Sequence, residues 1–247
     1  MSQRLKLTVA YDGSPFAGWQ SQTHRKTIQD ELERALHRIS GARLRVHGAG
    51  RTDTGVHALA QCAHVDLPDR RLEAARWTKA LNGVLPRTIR VLSCRYVSSN
   101  FHARFSAKGK TYRYRIWTGP ILPPLELERA WHITAPLDHD LLGAAGKRFI
   151  GQHDFAAFAA NRDKDEKDTV RTIWSLRVRN RGAVISIEVS GNGFLYKMVR
   201  LMVGRMTQAA LGKVQLTEID KNLRSGSKGG SRFAAPAQGL YLVRVWY

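Results

Sequence analysis

Hydrophobic residues recur with two periods along this chain, and the order of the two periods repeats once. In the first half, every second residue is apolar in four places that predict strands: 5–11, 44–46, 59–65 and 89–97. A helical spacing follows Thr27, and a second one extends from about 72 to 85. The predicted order is βαββαβ, the ferredoxin-like split unit.

The second half predicts the same order. Strand-like alternation covers 105–117, 170–178, 185–189 and 240–246. Asp138 begins one apolar helix, a second extends from Phe194 to Leu211, and a short extra helix is predicted over 217–224. We therefore predict an α+β fold in which two halves, 1–100 and 101–247, join edge to edge into one mostly antiparallel sheet. Joining the halves in this way hides two edge strands. The helices are expected on one face of that sheet.

Positive charge is the property of the composition that most constrains the partner. Lys and Arg number 40 against 20 Asp and Glu, which gives a formal net charge of +20. Folding does not need this excess and self-repulsion makes it costly, so we predict a polyanionic partner. Open antiparallel sheets serve as RNA platforms in binding modules, and we expect an RNA-binding cleft over the joined sheet.

The sequence does not indicate a membrane or an oxidising environment. It has no apolar run of membrane-spanning length, and the N-terminus lacks the apolar segment of a secretory signal. Cys62 and Cys94 are isolated, which favours reduced core cysteines over a disulfide or a zinc site. We predict a cytoplasmic protein without a membrane partner.

Residues 48–57, Gly-Ala-Gly-Arg-Thr-Asp-Thr-Gly-Val-His, are the segment most indicative of chemistry. Three glycines in ten residues indicate a tightly bent or closely approached backbone, which threonine hydroxyls can fix. Asp53, held beside Arg51, would stay ionised at neutral pH and could serve as a nucleophile or base. The alternative is a turn in which Asp53 only caps backbone amides. The residues alone leave both interpretations open.

Asp-Thr-Gly at 53–55 also occurs in aspartic proteases, where two carboxylates share a proton in an apolar frame. The sequence has no second Asp-Thr-Gly, and Arg51 precedes the first one. We therefore set the protease hypothesis aside.

Further motifs follow one another in order along nearly the whole chain. They occupy 11–13, 16–20, 27–29, 81–82, 85–86, 101–107, 110–114, 151–155, 194–200 and 239–242. Together with Gly-Arg-Thr-Asp-Thr-Gly-Val-His-Ala at 50–58, they resemble the tRNA pseudouridine synthase A (TruA) family. In that family the segment matching 50–58 is the active-site loop.

The resemblance implies that uridine is isomerised to pseudouridine at positions 38, 39 and 40 of the tRNA anticodon stem-loop, without a metal or redox cofactor. It implies that Asp53 is the nucleophile, that Arg200 pairs with Asp53 and that Arg51 helps to displace the base. Tyr112 is expected to pack on the target base. A homodimer in which each tRNA touches both subunits is also implied. The residues agree, because an arginine on an apolar helix face is costly to bury without a carboxylate partner.

Other polar residues of these motifs have structural roles. His57 is predicted to be structural rather than a base, and Asp12 and Asp154 are predicted to form turns.

Two alternative functions stay open. A non-catalytic RNA-binding protein on the same duplicated sheet fits the composition equally well, and a synthase for other uridines is only weakly excluded. The combination of Asp53, Arg200 and Tyr112 favours an enzyme, because binding alone does not need a carboxylate facing a polyanion.

Overall fold

The structure is a computed structural model that describes residues 3–23, 25–68, 72–160, 168–225 and 233–247. These residues form two compact units. The first unit spans Met1–Lys108 together with Tyr241–Tyr247, and the second spans Gly109–Leu240.

Helices and strands follow the order predicted from the sequence, with two short strands added. The first part of the chain forms β1 (Gln3–Tyr11), α1 (Ile28–Ser40), β2 (Val46–Gly48), β3 (His57–Leu67), α2 (Ala74–Val84) and β4 (Ile89–Val97). The second part forms β5 (Gly109–Trp117), β6 (Trp131–His132), α3 (His139–Lys147), β7 (Gly151–Asp154), β8 (Val170–Arg181), β9 (Val184–Gly191), α4 (Met198–Ala210), α5 (Leu216–Ser225) and β10 (Leu240–Trp246). The α+β class and the largely antiparallel pairing are confirmed.

The sheet of the first unit is built around β3. Strand β1 pairs antiparallel with β3 on one side and with β4 on the other. The second edge of β3 is shared, because β2 pairs antiparallel near its C-terminal end and β10 pairs parallel near its start. Tyr241 lies opposite His57 in that parallel pairing. The C-terminal strand, which the sequence order assigns to the second half, therefore lies in the first unit.

Helix α1 forms where its cap and apolar spacing agree. The Thr27 side chain accepts a hydrogen bond from the Asp30 amide (3.2 Å), and Gly41 ends the helix in a left-handed conformation (φ 72°). Ile28, Leu32 and Leu36 are fully buried. Burial of each such side chain contributes about 1.5–3 kcal/mol, which fixes α1 against its sheet.

The sheet of the second unit is antiparallel in the order β5-β9-β8-β7, with β6 parallel to β5. One face carries buried residues such as Tyr114 and Ile187, and α3 packs on it where Gly146 approaches Leu176. We call the opposite face, which carries Arg113 of β5 and its cross-strand neighbours on β9 and β8, the outer face.

Several predicted boundaries were wrong by a few residues, among them that of β2, predicted at 44–46 and found at Val46–Gly48. Strand β5 begins at Gly109 rather than near 105, because Ser106 and His102 form a turn before it. The Ser106 amide donates to the His102 carbonyl, and the His102 amide donates to the Ser106 hydroxyl (both 2.9 Å). Helix α4 begins at Met198 rather than Phe194, because Lys197 adopts a left-handed conformation (φ 58°) that ends the preceding loop.

The cysteine prediction is confirmed, since Cys62 and Cys94 are free and buried. Among the described residues, no helix is both long enough and apolar enough to cross a membrane.

Candidate active site

Residues 49–56, which we call the Asp53 loop, connect β2 to β3. The Val56 amide donates to the Asp53 carbonyl (3.1 Å), so residues 53–56 form a β-turn. Gly55 is the third residue of this turn and has a φ of 77°. A positive φ at that position is the signature of a type II turn and favours glycine. The turn therefore explains one of the glycines that flank Asp53.

Hydrogen bonds from three other segments hold the Asp53 loop. The hydroxyls of Tyr11 and Thr52 lie 2.9 Å apart, and both side chains are buried. The Gln61 amide nitrogen donates to the Gly50 carbonyl (2.9 Å), and the Trp19 amide donates to the Thr52 carbonyl (3.0 Å). Burial raises the pKa of Tyr11 well above its ordinary value, so its hydroxyl keeps its proton. The loop backbone is thus fixed on both sides of Asp53.

The connection after β1 lies directly against the same loop. A Cβ atom built on Gly13 would stand 2.0 Å from the Val56 carbonyl oxygen, which no side chain can tolerate without movement. Glycine is required at residue 13 because the two backbones approach this closely.

Arg51 is exposed, and glutamines position its side chain. Its Nε donates to Gln20 Oε1 (3.1 Å), and Gln20 Nε2 donates to Gln29 Oε1 (2.9 Å). Gln29 is only 2% exposed and also donates to the Val46 carbonyl (3.2 Å). The roles of these glutamines were not predicted from the sequence. The signal that could have found them is their place in the motifs at 16–20 and 27–29.

His57 and Asp12 both have structural contacts, as predicted. The His57 ring is 3% exposed, its Nδ1 accepts the Gly13 amide (3.1 Å), and it stacks on Tyr241 at 4.7 Å. Asp12 Oδ1 accepts from the amide and the hydroxyl of Ser14, which is the bonding of a turn.

The predicted partners Arg200 and Tyr112 lie in the second unit, whereas Asp53 and Arg51 lie in the first. Arg200 is half-buried near the start of α4, where its Nε donates to the Ala235 carbonyl (2.7 Å). The Ala235 amide returns a bond to the Arg200 carbonyl (2.9 Å). This pair of bonds fixes the direction of the guanidinium group.

Tyr112 and Tyr114 share the buried face of β5 but differ in exposure. Tyr114 is fully buried, and its hydroxyl donates to the Pro236 carbonyl (2.7 Å). Tyr112 retains 8% exposure and meets the Phe194 ring edge to face, with ring centroids 5.1 Å apart. Tyr112 is thus the less buried member of the pair. Within the described residues, no group of three His, Cys, Asp or Glu side chains is placed to hold a metal ion.

Three known proteins similar to this chain have the same name. A family profile described as tRNA pseudouridine synthase matches residues 7–106 and 145–247. A tRNA pseudouridine synthase A of Akkermansia muciniphila is 47% identical over 99% of this chain and 95% of its own length. Relatives of the same name from Methylacidiphilum infernorum and Acetivibrio thermocellus are 42% and 38% identical, over 98% and 99% of this chain and 94% and 100% of their own lengths.

Proposed function

We propose that this chain, which belongs to the tRNA pseudouridine synthase family, modifies uridines 38, 39 and 40 in the tRNA anticodon arm with Asp53 as the nucleophile. Membership of the family makes it an isomerase that forms pseudouridine in tRNA. The positions in the tRNA and the role of Asp53 are the proposed part.

The observation that carries the proposal is the immobilisation of the Asp53 loop. Buried hydrogen bonds from Tyr11 and Gln61 fix it, as does the close approach of Gly13. A loop that only changed the direction of the chain would not need this number of buried restraints. A nucleophile does need them, because a misplacement of about 1 Å can cost about 100-fold in rate.

The proposed reaction is an isomerisation. Asp53 attacks C1′ of the ribose, and the bond from C1′ to N1 of the base breaks. The uracil then turns, and C5 displaces the Asp53 carboxylate from C1′. A proton leaves C5 and N1 gains one. The product contains the same atoms as the substrate, so no external reactant is needed.

The other side chains receive supporting roles. A base inside a stem must leave its stack, which costs a few kcal/mol. We assign displacement of the base to Arg51, whose side chain is positioned by the bonds from Gln20 and Gln29. We assign packing against the uracil to Tyr112. Arg200 is assigned as the counter-charge of Asp53. A homodimer that shares each tRNA and a cytoplasmic location stay predictions.

Mapping the product in defined tRNA tests the proposal. We would incubate the protein with tRNA transcripts that carry uridine at 38, 39 or 40, and with matched transcripts that carry cytidine there. Pseudouridine is expected only at those positions and only in the uridine transcripts. Pseudouridine at other uridines would favour a synthase of different specificity. Tight tRNA binding without any pseudouridine would favour the non-catalytic RNA-binding protein.

A further inference from the structure

The outer face of the second unit carries arginines at successive alternate positions. Arg177, Arg179 and Arg181 project from one side of β8, and all three are exposed. We call these three residues the arginine row. Arg113 and Arg115 of β5 lie on the same face, because both strands pair with the same residues of β9.

The two arginines of β5 are neutralised by neighbouring carboxylates. Arg113 pairs with Glu188 at 3.1 Å, and Arg115 pairs with Glu126 at 2.8 Å. In contrast, no ion pair to the arginine row is found within the part of the chain that the structure describes. Glu188 lies opposite Arg177 on β9 but pairs with Arg113, and the residues opposite Arg179 and Arg181 are Ser186 and Val184. The single carboxylate opposite the row is thus shared with Arg113, and Arg179 and Arg181 face no carboxylate on β9.

The spacing of the row matters for its electrostatics. A strand rises about 3.3 Å per residue, so neighbouring members of the row are about 6.6 Å apart along β8. Like charges at this distance repel one another, and surfaces that serve only solubility usually mix both signs. Three arginines at successive alternate positions of one strand therefore point to an anionic partner rather than to solubility alone. Guanidinium groups bind phosphate through two parallel hydrogen bonds, which a lysine cannot do.

Two cations of β1 on the corresponding surface of the first unit are already occupied. Arg4 makes two hydrogen bonds to Asp66 (2.7 and 2.8 Å) and others to the carbonyls of Ser99 and Phe101. Lys6 lies over the rings of Phe101 and Tyr247, at 5.0 and 4.1 Å from their centroids. The row differs from these cations because it has no such contacts.

We propose that the arginine row binds the phosphate backbone of the substrate tRNA, outside the nucleotide that reacts. This inference rests on the proposed function, which supplies the polyanion. The grooves of an RNA duplex are poorly readable by side chains, so guanidinium groups that meet an RNA stem contact mainly its phosphates. Binding through the row is therefore independent of the sequence of the contacted stem.

A charge-matched pair of triple variants tests the row. The row variant is R177Q/R179Q/R181Q, and the control is K213Q/K221Q/R224Q, which changes exposed cations in and beside α5. Both lower the formal charge by the same amount, and a thermal melt confirms that both fold. Affinity for full-length tRNA is measured across a salt series, and pseudouridine formation is measured against tRNA concentration.

The row variant should bind tRNA about 10- to 100-fold more weakly than the wild type in moderate salt. The slope of log affinity against log salt concentration should become less steep by about 2 to 3. Each lost phosphate contact lowers the magnitude of this slope by roughly 0.7 to 0.9. KM for tRNA should rise by a factor similar to the loss of affinity, whereas kcat should fall by a smaller factor. The control should change affinity less than about threefold.

Equal affinities and equal salt slopes for the two variants would overturn the inference. If the wild type forms pseudouridine normally, that result leaves the proposed function standing. If the wild type forms none, the proposed function fails, and the comparison of tRNA affinities still decides whether the row binds RNA.

Discussion

The two units differ in where their polar side chains lie, buried in the first and exposed in the second. Most of the buried polar side chains are in the first unit, at Thr27, Gln29, Thr52, His57, Gln61 and His64. Among the residues of the second unit that the structure describes, the buried ones are Thr111 and Thr207. The second unit instead exposes the arginine row on its outer face.

The difference separates two physical tasks. Buried polar groups must be hydrogen-bonded, so a network of them specifies one backbone geometry. This suits the Asp53 loop, where reaction rate depends on position. Exposed charges act nearly independently and are screened by salt, which suits affinity for a polyanion. Changes in the first unit should therefore alter kcat or stability, whereas changes in the row should alter KM.

Replacing Arg200 with alanine should produce the largest effect outside Asp53. Arg200 lies in the second unit but is half-buried and hydrogen-bonded to Ala235, like the polar groups of the first. Loss of this charge should lower kcat about 10³-fold, which is about 4 kcal/mol. Single-turnover pseudouridine formation measures it, with Arg200→Lys as the control that retains the charge. Full activity of the alanine variant at neutral pH would contradict the pairing with Asp53.

Acid should destabilise the first unit through His64, which is 1% exposed and accepts the Ala103 amide at Nδ1 (3.1 Å). Burial, aided by the charge of Arg4, lowers the pKa of His64 to about 4. The unfolded chain takes up the proton below about pH 6.5, whereas the folded one resists until about pH 4. The free energy of unfolding should therefore fall by about 3 kcal/mol between these pH values.

Urea unfolding at several pH values between 4 and 7 measures this loss. His64→Asn keeps a side-chain acceptor for the Ala103 amide but does not titrate. Carboxylates contribute to acid sensitivity in both proteins, so the difference between them isolates His64. Identical dependence on pH in the two proteins would refute the account of His64.

Gly13→Ala should push the Asp53 loop out of place. The added methyl group would meet the Val56 carbonyl, and kcat should fall about 10²-fold with a smaller change in KM. Gly83→Ala is the matched control, because its Cβ would meet nothing within 4 Å and its helix should gain about 0.5–1 kcal/mol. Normal kcat in Gly13→Ala would show that the restraint on the loop is unimportant.

Single replacements in the row should have the smallest effects. Arg179→Gln should raise KM for tRNA about two- to fivefold and leave kcat close to the wild-type value, since one phosphate contact is lost. The three single changes should multiply to approximately the effect of the triple variant, because exposed charges couple weakly. Strong departure from this product would mean that the row acts as a fixed site like those of the first unit.

Local signals in the sequence determine most helices and strands. The Thr27 cap and the apolar spacing of α1 predict its start at Ile28, and alternation predicts β1 and β4. Pairings between distant segments were not predictable in this way. The parallel pairing of β10 with the start of β3 depends on contacts between the two ends of the chain, which no local period reports.

The candidate site was predicted only in part. Glycines and a lone carboxylate marked the Asp53 loop, but the roles of Arg200 and Tyr112 came from the family resemblance. Gln20 and Gln29 were missed because a glutamine that positions Arg51 has the same local sequence signal as a solvated one. The arginine row was missed because its alternation is also that of an ordinary solvated strand face.

Asp53→Asn is the most direct test of the central claim. The amide keeps the size of the carboxylate but is not a nucleophile, so single-turnover pseudouridine formation should fall at least ~10³-fold. Affinity for tRNA and the thermal melting temperature should change little. Asp154→Asn is the matched control, because Asp154 Oδ1 accepts a turn bond from the Ala156 amide and a second bond from the Thr169 hydroxyl. This variant should keep the wild-type rate. A rate for Asp53→Asn within tenfold of the control would contradict the assignment of Asp53 as the nucleophile.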